Sequence, residues 1–251
     1  HHEHRRQRQM CIRDSIKSHG RESIAEIKVM AGKALPSDRL WAVVHENSTA
    51  DGREWAACHN FSRGSKAPGL MAIESYFDET QNTLTLSHPD KKEITFCPDT
   101  EGDTLISWTK DLIPNERSGS VKLIRAKAAA MTDTEYQSIT ICSSSSHQSL
   151  ASEMGLDLSR KRWRGNLWID ELEPWEEMNW IGKIVQIGNV QFDVIENVQR
   201  CMATTANPDT GVRDADTLGA LKAHGHQNFS VYAIARNDGN LCLGDKLTVI
   251  D

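Results

Sequence analysis

KIVQIGNVQFDVIENVQRCMATTANPDTG, residues 183–211, is the stretch that says most about the fold. Apolar and polar residues alternate on both sides of Gly188-Asn189, which is the pattern of two strands joined by a tight turn. The second run leads directly into a loop that holds Cys201 and ends in the turn-forming residues NPDTG. This stretch therefore predicts a β-hairpin followed by a tight, cysteine-bearing loop.

Short runs of the same kind continue in both directions from the hairpin, with turn residues between them. They are IAEIKVM (24–30), RLWAVVHE (39–46), GLMAIESYF (69–77), TLTLSHP (83–89), KEITFCP (92–98), VKLIRAK (121–127), QSITICSS (137–144), RWRGNLWID (162–170) and FSVYAIARNDGNLCLGDKLTVID (229–251). Three segments predict short helices: TLISWTKDLI (104–113), HQSLASEMGL (147–156), with Ser149 as a candidate cap or first-turn residue, and DADTLGALKAHG (214–225). This order predicts a mainly β protein, a β-barrel or sandwich with a few helices, rather than βαβ units.

Composition shifts along the chain suggest how it is divided. ERSGS, residues 116–120, has the character of a linker, so we expect two β-rich lobes over residues 16–115 and 116–251. The first fifteen residues, HHEHRRQRQMCIRDS, are rich in His, Arg and Gln and lack a hydrophobic period. We expect residues 1–15 to be a non-native or disordered flank that lies outside the fold.

The overall composition excludes several classes of protein. The formal net charge of −6 argues against a general nucleic-acid binder. A run of about 18 apolar residues is absent, which argues against a membrane protein, and no secretory signal is visible, so a cytoplasmic location is expected. The six cysteines, at positions 11, 58, 97, 142, 201 and 242, include no CxxC pair. This spacing argues against a zinc ribbon, a ferredoxin-type cluster or a disulfide framework.

Cys201 is the strongest candidate for the chemistry. It follows Arg200 on a tight loop, where a neighbouring cation and backbone amides favour the thiolate, and a thiolate is the protein ligand that suits soft metals. The alternative is a partly buried structural cysteine at a strand end. Lys17, Ser18, Arg39, Arg164 and Asn166 are cations and hydrogen-bond donors that would form an anion site if the fold brought them together. The alternative for the basic run RKRWR is a solvated surface.

Several of these segments together resemble the MOSC domain, the module named after the C-terminal part of molybdenum cofactor sulfurases. The resemblance is carried by RWRGNLWID, EPWEE, the pattern W-x-G-K-I-x-x-I-G, QRCMATTANPDTG and the pattern G-x-x-x-x-G-D near the end of the chain. In the first half, IKSHG and LPSDRLWAVV are similar to segments of the β-barrel domain that precedes MOSC in its larger members, such as the mitochondrial amidoxime-reducing component and its bacterial relatives. The resemblance implies an N-terminal MOSC β-barrel domain followed by a MOSC domain.

The resemblance also implies roles for individual residues. The cysteine of the R-C motif ligates molybdenum in this family, which assigns that role to Cys201, with Arg200 beside it helping to fix the site. Residues that contact the molybdenum–molybdopterin cofactor in the family match Lys17, Ser18, Arg39, Arg164 and Asn166, and the resemblance assigns Arg200 and Cys201 to the same cofactor-binding set. Two departures stand out, since Gly165 and Ser15 occupy positions where the family usually has proline.

The activity implied by the resemblance is a two-electron reduction of N-hydroxylated or N-oxide-type substrates, which makes the chain a molybdenum-dependent oxidoreductase. The electrons would come from a separate electron-transfer protein of ferredoxin, flavoprotein or cytochrome type. An alternative with the same cysteine is a sulfur-carrier or cofactor-delivery protein, with a persulfide on Cys201 and no turnover of its own. A third is a non-catalytic binding module, against which the joint presence of Arg164, Asn166, Arg200 and Cys201 argues.

Overall fold

The part of the chain that the structure describes contains sixteen strands and three α-helices, joined by loops and short 3-10 helices. The structure is a computed structural model, which describes the backbone of residues 7–250 and the side chains of residues 11–250. The strands are β1 (Gln7–Arg13), β2 (Ile16–Lys17), β3 (Glu22–Ile24), β4 (Glu26–Val29), β5 (Trp41–His45), β6 (Glu74–Asp78), β7 (Thr83–His88), β8 (Lys91–Phe96), β9 (Ser120–Arg125), β10 (Ile139–Ser143), β11 (Leu167–Asp170), β12 (Ile184–Ile187), β13 (Val190–Gln199), β14 (Asn228–Ala235), β15 (Gly239–Cys242) and β16 (Leu247–Ile250). The helices are α1 (Gly102–Thr109), α2 (Ser144–Met154) and α3 (Thr217–Ala223). None of these helices is long and apolar enough to cross a membrane.

The strands form four sheets, which confirms the prediction of a mainly β fold. The largest has the order β16-β12-β13-β14-β10-β11-β1-β3 and is antiparallel except where β10 meets β11. Among the described residues, this sheet has two edge strands, β16 and β3, and it does not close on itself. Two three-stranded sheets, β2-β5-β9 and β6-β7-β8, and the pair β15-β4 complete the fold.

The hairpin predicted from residues 183–197 is present as β12 and β13. Ile187 pairs with Val190 across a two-residue turn, and Gly188 has φ 56°, a left-handed conformation that glycine adopts without strain. Along β12 and the start of β13, the side chains that point to one face, among them Val185 and Phe192, are buried in the main core. The alternation in the sequence thus corresponds to one buried and one partly exposed face.

The expectation that residues 1–15 lie outside the fold is wrong for residues 7–15. Strand β1 pairs with β11 on one side and β3 on the other, and Cys11 and Ile12 are buried. The polar residues that follow are stabilised by partners distant in sequence; the Asp14 Oδ2, for example, lies 2.8 Å from Arg164 Nη2. Composition alone could not reveal such partners. Residues 1–6 lie outside the described residues.

Strand pairing crosses the predicted boundary at residues 115/116 in both directions. β9, from the second half of the chain, pairs with β5 of the first half. In turn, β1 and β4 pair with β11 and β15 of the second half. The two predicted lobes remain a prediction, and the sheets show that each half contributes strands to the other. The cleft described below lies where the two halves meet.

Candidate functional site

The candidate site is built around the Cys201 loop, residues 200–216, which connects β13 to α3. Cys201 precedes a short 3-10 helix, Met202–Thr205, and its carbonyl oxygen accepts hydrogen bonds from the backbone N–H of Thr204 at 3.2 Å and from Thr204 Oγ1 at 3.1 Å. Thr204 Oγ1 also lies 2.7 Å from Thr217 Oγ1 on α3. These bonds hold the backbone while leaving the Cys201 side chain exposed.

The NPDTG turn at residues 207–211 of the Cys201 loop is held in place by a residue from the first half of the chain. Asn207 closes the NPDTG turn by donating its backbone N–H to Val212 at 2.7 Å, and its side-chain oxygen accepts from the Asp209 N–H at 2.8 Å. The buried Arg21 donates from Nη2 to the Pro208 carbonyl at 2.9 Å. The predicted turn residues therefore do form a turn, and a first-half arginine fixes its position.

Cys201 opens into a cleft of about 380 Å³ that both halves of the chain line. Six of the seven residues predicted for the site share this cleft: Lys17, Ser18, Arg39, Arg164, Arg200 and Cys201. A volume of several hundred Å³ is typical of cofactor and small-molecule sites. The structure thus brings together residues that are up to 184 positions apart in sequence, Lys17 and Cys201 being the extremes.

Asn166 is the exception. Its side chain is buried and joins two strands: Oδ1 accepts from the Thr140 N–H at 3.0 Å, and Nδ2 donates to the Ile12 carbonyl at 3.1 Å. It does not line the cleft. Both polar groups are thus used within the fold, and the contact between Asn166 and a cofactor stays a prediction. Asn166 fixes the strands that carry the cleft wall.

Lys17 and Asp133 form a charged pair on the cleft wall. The Lys17 ammonium donates to the Met131 carbonyl at 2.8 Å and to Asp133 Oδ1 at 2.5 Å. Partial desolvation of the half-exposed Asp133 carboxyl favours its neutral form, but the charges of Lys17 and Arg39 outweigh this effect and hold the pKa of Asp133 below its usual range. Asp133 was missed in the sequence because its polar stretch, MTDTEYQ, carries no signal beyond that of a loop.

Arg164 and Arg39 converge on a buried carboxylate, Asp14. Arg164 Nη2 lies 2.8 Å from Asp14 Oδ2, and Arg39 Nη2 lies 3.9 Å from the same atom while also pairing with Asp38. Burial raises the pKa of Asp14, and the two guanidinium groups counteract part of that rise. Arg164 Nη1 and Asp14 Oδ1 are buried without a hydrogen-bond partner in the described structure. A buried guanidinium nitrogen without a partner is costly, and a bound anion would satisfy it.

Three of the cleft residues have unusual backbone conformations. Ser18 has φ 65°, Arg39 has φ 49° and Arg164 has φ 50°, all in the left-handed region that non-glycine residues seldom adopt. At Arg164 this conformation ends the 3-10 helix Arg160–Trp163, so the segment predicted to be a strand from residue 162 becomes one only at Leu167. The strain turns the Arg164 side chain towards Gly20 and Asp14 of the first half.

Arg200, predicted to help fix the site, is fully engaged by the protein. Nε donates to the Phe229 carbonyl at 2.9 Å, Nη1 donates to the Trp163 carbonyl at 2.7 Å, and Nη2 bonds Ser230 Oγ. Its guanidinium carbon lies 5.6 Å from the ring centres of both Trp163 and Phe229. Arg200 therefore anchors the start of the Cys201 loop to the strand behind it.

The donor set matches an anionic cofactor that brings most of its own metal ligands. Within residues 7–250, no three or more His, Cys, Asp or Glu side chains are placed to hold a metal ion by themselves. The cleft does offer an exposed thiol, Cys201, and the unpartnered Arg164 Nη1. Thiolate suits soft metals, and the guanidinium suits phosphate or a similar anionic group.

Comparison with known proteins gives three findings. The family described as "MOSC domain" matches residues 129–248. Molybdenum cofactor sulfurase of Drosophila melanogaster is 28% identical over 141 residues, which cover 52% of this chain and 17% of that protein. Molybdenum cofactor sulfurase 2 of Culex quinquefasciatus is 24% identical over 262 residues, which cover 86% of this chain and 32% of that protein. The chain thus spans a third or less of the length of these relatives.

Among solved structures, the YUAD protein from Bacillus subtilis is similar to this chain with a TM-score of 0.48 and 11% identity, over 97% of this chain and 94% of that one. YiiM from Geobacillus stearothermophilus is similar over 45% of this chain and 54% of its own, with a TM-score of 0.34 and 16% identity.

Proposed function

Residues 129–248 of this chain form a MOSC domain, and on that premise we propose that the cleft binds the molybdenum–molybdopterin cofactor with Cys201 as the protein ligand to the metal. We further propose that the chain is an oxidoreductase that reduces N-hydroxylated or N-oxide-type substrates. The observation that carries the proposal is the exposure of the Cys201 thiol in a cleft that is rich in cationic side chains.

The residues of the chain have separate tasks in this proposal. Cys201 presents its sulfur from a backbone held by Thr204, and Arg200 fixes the loop from behind. Arg164, with its unpartnered Nη1, and the first-half cations Lys17 and Arg39 would hold the anionic part of the cofactor. Ser18 lies among them as a further donor. The acids Asp14, Asp38 and Asp133 keep these cations in place when the cleft holds no anion.

The proposed reaction consumes two electrons and two protons for each N–O bond cleaved and releases water. When bound, the cofactor supplies the two-electron redox chemistry, and the protein supplies its binding, its orientation and a shaped cleft. A separate electron-transfer protein, of ferredoxin, flavoprotein or cytochrome type, would deliver the electrons. The cleft volume of about 380 Å³ fits a small-molecule substrate beside part of the cofactor rather than a macromolecule.

Metal analysis of the protein made in a molybdenum-replete host tests the first step. We expect near-stoichiometric molybdenum and pterin in the wild type and in Cys242→Ala, which removes another exposed thiol on β15. Cys201→Ala should lose most of the metal because its only proposed protein ligand is gone. Well-folded wild-type protein without molybdenum, or metal retained in Cys201→Ala, would contradict the proposal.

Turnover distinguishes the two functions that use the same cysteine. With reduced viologen as donor, the oxidoreductase should reduce benzamidoxime. The alternative, a sulfur carrier, is favoured by one observation: the relatives described above are named molybdenum cofactor sulfurases. In that case, the Cys201 thiolate should take the outer sulfur of a persulfide donor, which leaves as a thiol. Mass spectrometry should then show one extra sulfur atom on Cys201, and N-hydroxylated compounds should not be reduced.

A further inference from the structure

A second, smaller pocket of about 190 Å³ lies beside the cleft, and no role has been assigned to it above. It is formed by the end of β5, by the segment that follows it in the first half, and by the chain just before β9. Its lining residues are His45, His59, Phe61, Ser62, Arg63, Lys66, Ala67, Ile113, Arg117 and Ser118. Arg63 also lines the cleft that holds Cys201, so the two cavities share a wall.

The pocket carries positive charge that the protein does not neutralise. Arg63, Lys66 and Arg117 line it, and no acidic residue does. In the described part of the chain, none of these three forms an ion pair, whereas the cleft cations Lys17 and Arg164 are paired with Asp133 and Asp14. In a chain with a net charge of −6, three unpaired cations around one concavity create a local site for an anion.

The cations are held by local structure rather than spread at random over the surface. The carbonyl oxygen of Arg63 accepts from the backbone N–H groups of Lys66 and Ala67, both at 2.9 Å, which places Arg63 and Lys66 on one turn. Arg63 Nη1 donates to the Cys58 sulfur at 2.7 Å, and its Nε and Nη2 make no hydrogen bond within the described residues. Those two nitrogens are the pair through which a guanidinium binds an oxyanion in a forked arrangement.

The remaining walls are rigid and partly apolar. His45 Nε2 donates to the His59 carbonyl at 2.7 Å, and its Nδ1 accepts from the Asn47 N–H at 3.3 Å, so the protein holds both ring nitrogens. Phe61 and Ala67 are buried and supply an apolar lining. A pocket with fixed walls, unpaired cations and an apolar lining suits a small organic anion.

We propose that this pocket binds the carboxylate or phosphate group of a small molecule, through Arg63, Lys66 and Arg117. The site needs no metal, and it goes beyond the molybdenum chemistry proposed for the cleft. Because Arg63 borders both cavities, a molecule anchored here by its anionic group lies next to the cleft.

Binding can be measured directly on the full chain without cofactor. Inorganic phosphate and benzoate, titrated at low ionic strength by calorimetry, represent the two anion types, and benzoate adds an apolar ring. The double variant Lys66→Gln/Arg117→Gln should weaken binding of the preferred anion about tenfold or more, since charge-assisted hydrogen bonds are worth that much each. Both side chains are exposed, so the fold should not change. Lys28→Gln, which removes an exposed charge on β4, is the matched control and should bind as the wild type does.

The outcomes separate the pocket from the cleft. Tighter binding of benzoate supports an organic carboxylate as the ligand, and tighter binding of phosphate supports a phosphate group. An affinity that is unchanged in the double variant, or lost only in Arg164→Gln, would assign the anion to the cleft and overturn the proposal, as would the binding of neither anion. None of these results depends on whether the protein carries molybdenum.

Discussion

At the scale of single residues, Gly165 and Cys142 illustrate how tightly the strands behind the cleft are packed. A Cβ on Gly165 would lie 2.1 Å from the Cys142 sulfur, which is closer than any real contact. A glycine at residue 165 is thus required by the close approach of the Cys142 sulfur and not by a left-handed backbone conformation. Any larger residue at position 165, proline included, would meet the same sulfur, so the glycine at residue 165 and the cysteine at residue 142 belong together.

This contact predicts a coupling between the two positions. Gly165→Ala should lower the free energy of unfolding by about 1–3 kcal/mol, because a methyl group is forced into a filled space. In the background of Cys142→Ala, where the sulfur is absent, the same change should cost much less. Chemical denaturation of the four proteins in the double-mutant cycle measures this, with Gly119→Ala, which has open space around it, as control. Additive effects would show that the contact is not the cause.

Glu177 is a second residue whose environment decides its behaviour. The sequence places it in the acidic segment ELEPWEE, residues 171–177, where a charged side chain is expected at the surface, yet it is fully buried. Burial raises the pKa of Glu177 to about 7, against the hydrogen bond that Ser146 Oγ donates to its Oε2 at 2.8 Å, which lowers it. Its Oε1 has no partner in the described structure.

The raised pKa predicts a stability that depends on pH. The folded protein holds the Glu177 proton more tightly than the unfolded chain, so this residue favours folding fully below pH 4.5, and the advantage is lost as the pH rises through about 7. Glu177→Gln, which keeps an acceptor for Ser146, should remove this fall and be more stable than wild type at pH 8 by up to about 3 kcal/mol. Thermal unfolding between pH 5 and 8 checks it, with the exposed Glu173→Gln as control. Parallel pH profiles for wild type and Glu177→Gln would argue against this assignment.

At the scale of elements, what is local in sequence was predictable and what is not local was not. The β12–β13 hairpin follows from alternation and a Gly-Asn turn, and α3 follows from its apolar spacing. The start of α2 was misplaced: its cap is Ser143, which accepts from the Ser146 N–H, and not Ser149. Several serines in a row offer several equivalent caps, so sequence alone does not choose among them.

Helix α3 gives a prediction at this scale, because it supports the Cys201 loop through Thr217. Asp216 caps the helix by accepting the Gly219 N–H at 2.9 Å. Asp216→Ala should lower the free energy of unfolding by about 1 kcal/mol, whereas Asp216→Asn, which retains an acceptor, should be close to wild type. Chemical denaturation measures both variants, and an equal loss in the two would indicate that charge, not capping, is what matters there.

At the scale of the whole molecule, the site depends on contacts between the two halves. The sequence identified Cys201 and the cations around it, and the fold brings them into one cleft. It did not identify Asp14 and Asp133, the carboxylates that pair with those cations, because the first lies in a segment without a hydrophobic period and the second in a polar loop. Nor could it show that Asn166 is used between strands, since its partners Thr140 and Ile12 are remote in sequence.

The position of β1 has a consequence for the order of events during synthesis. Cys11 pairs with Leu167, so the ribosome releases one strand of the largest sheet about 156 residues before its neighbour exists. During that interval the early strand has only β3 beside it, and its other edge is open to the wrong partner. Completion of the largest sheet, and with it the wall that carries Arg164, is therefore a late step in the maturation of the nascent chain.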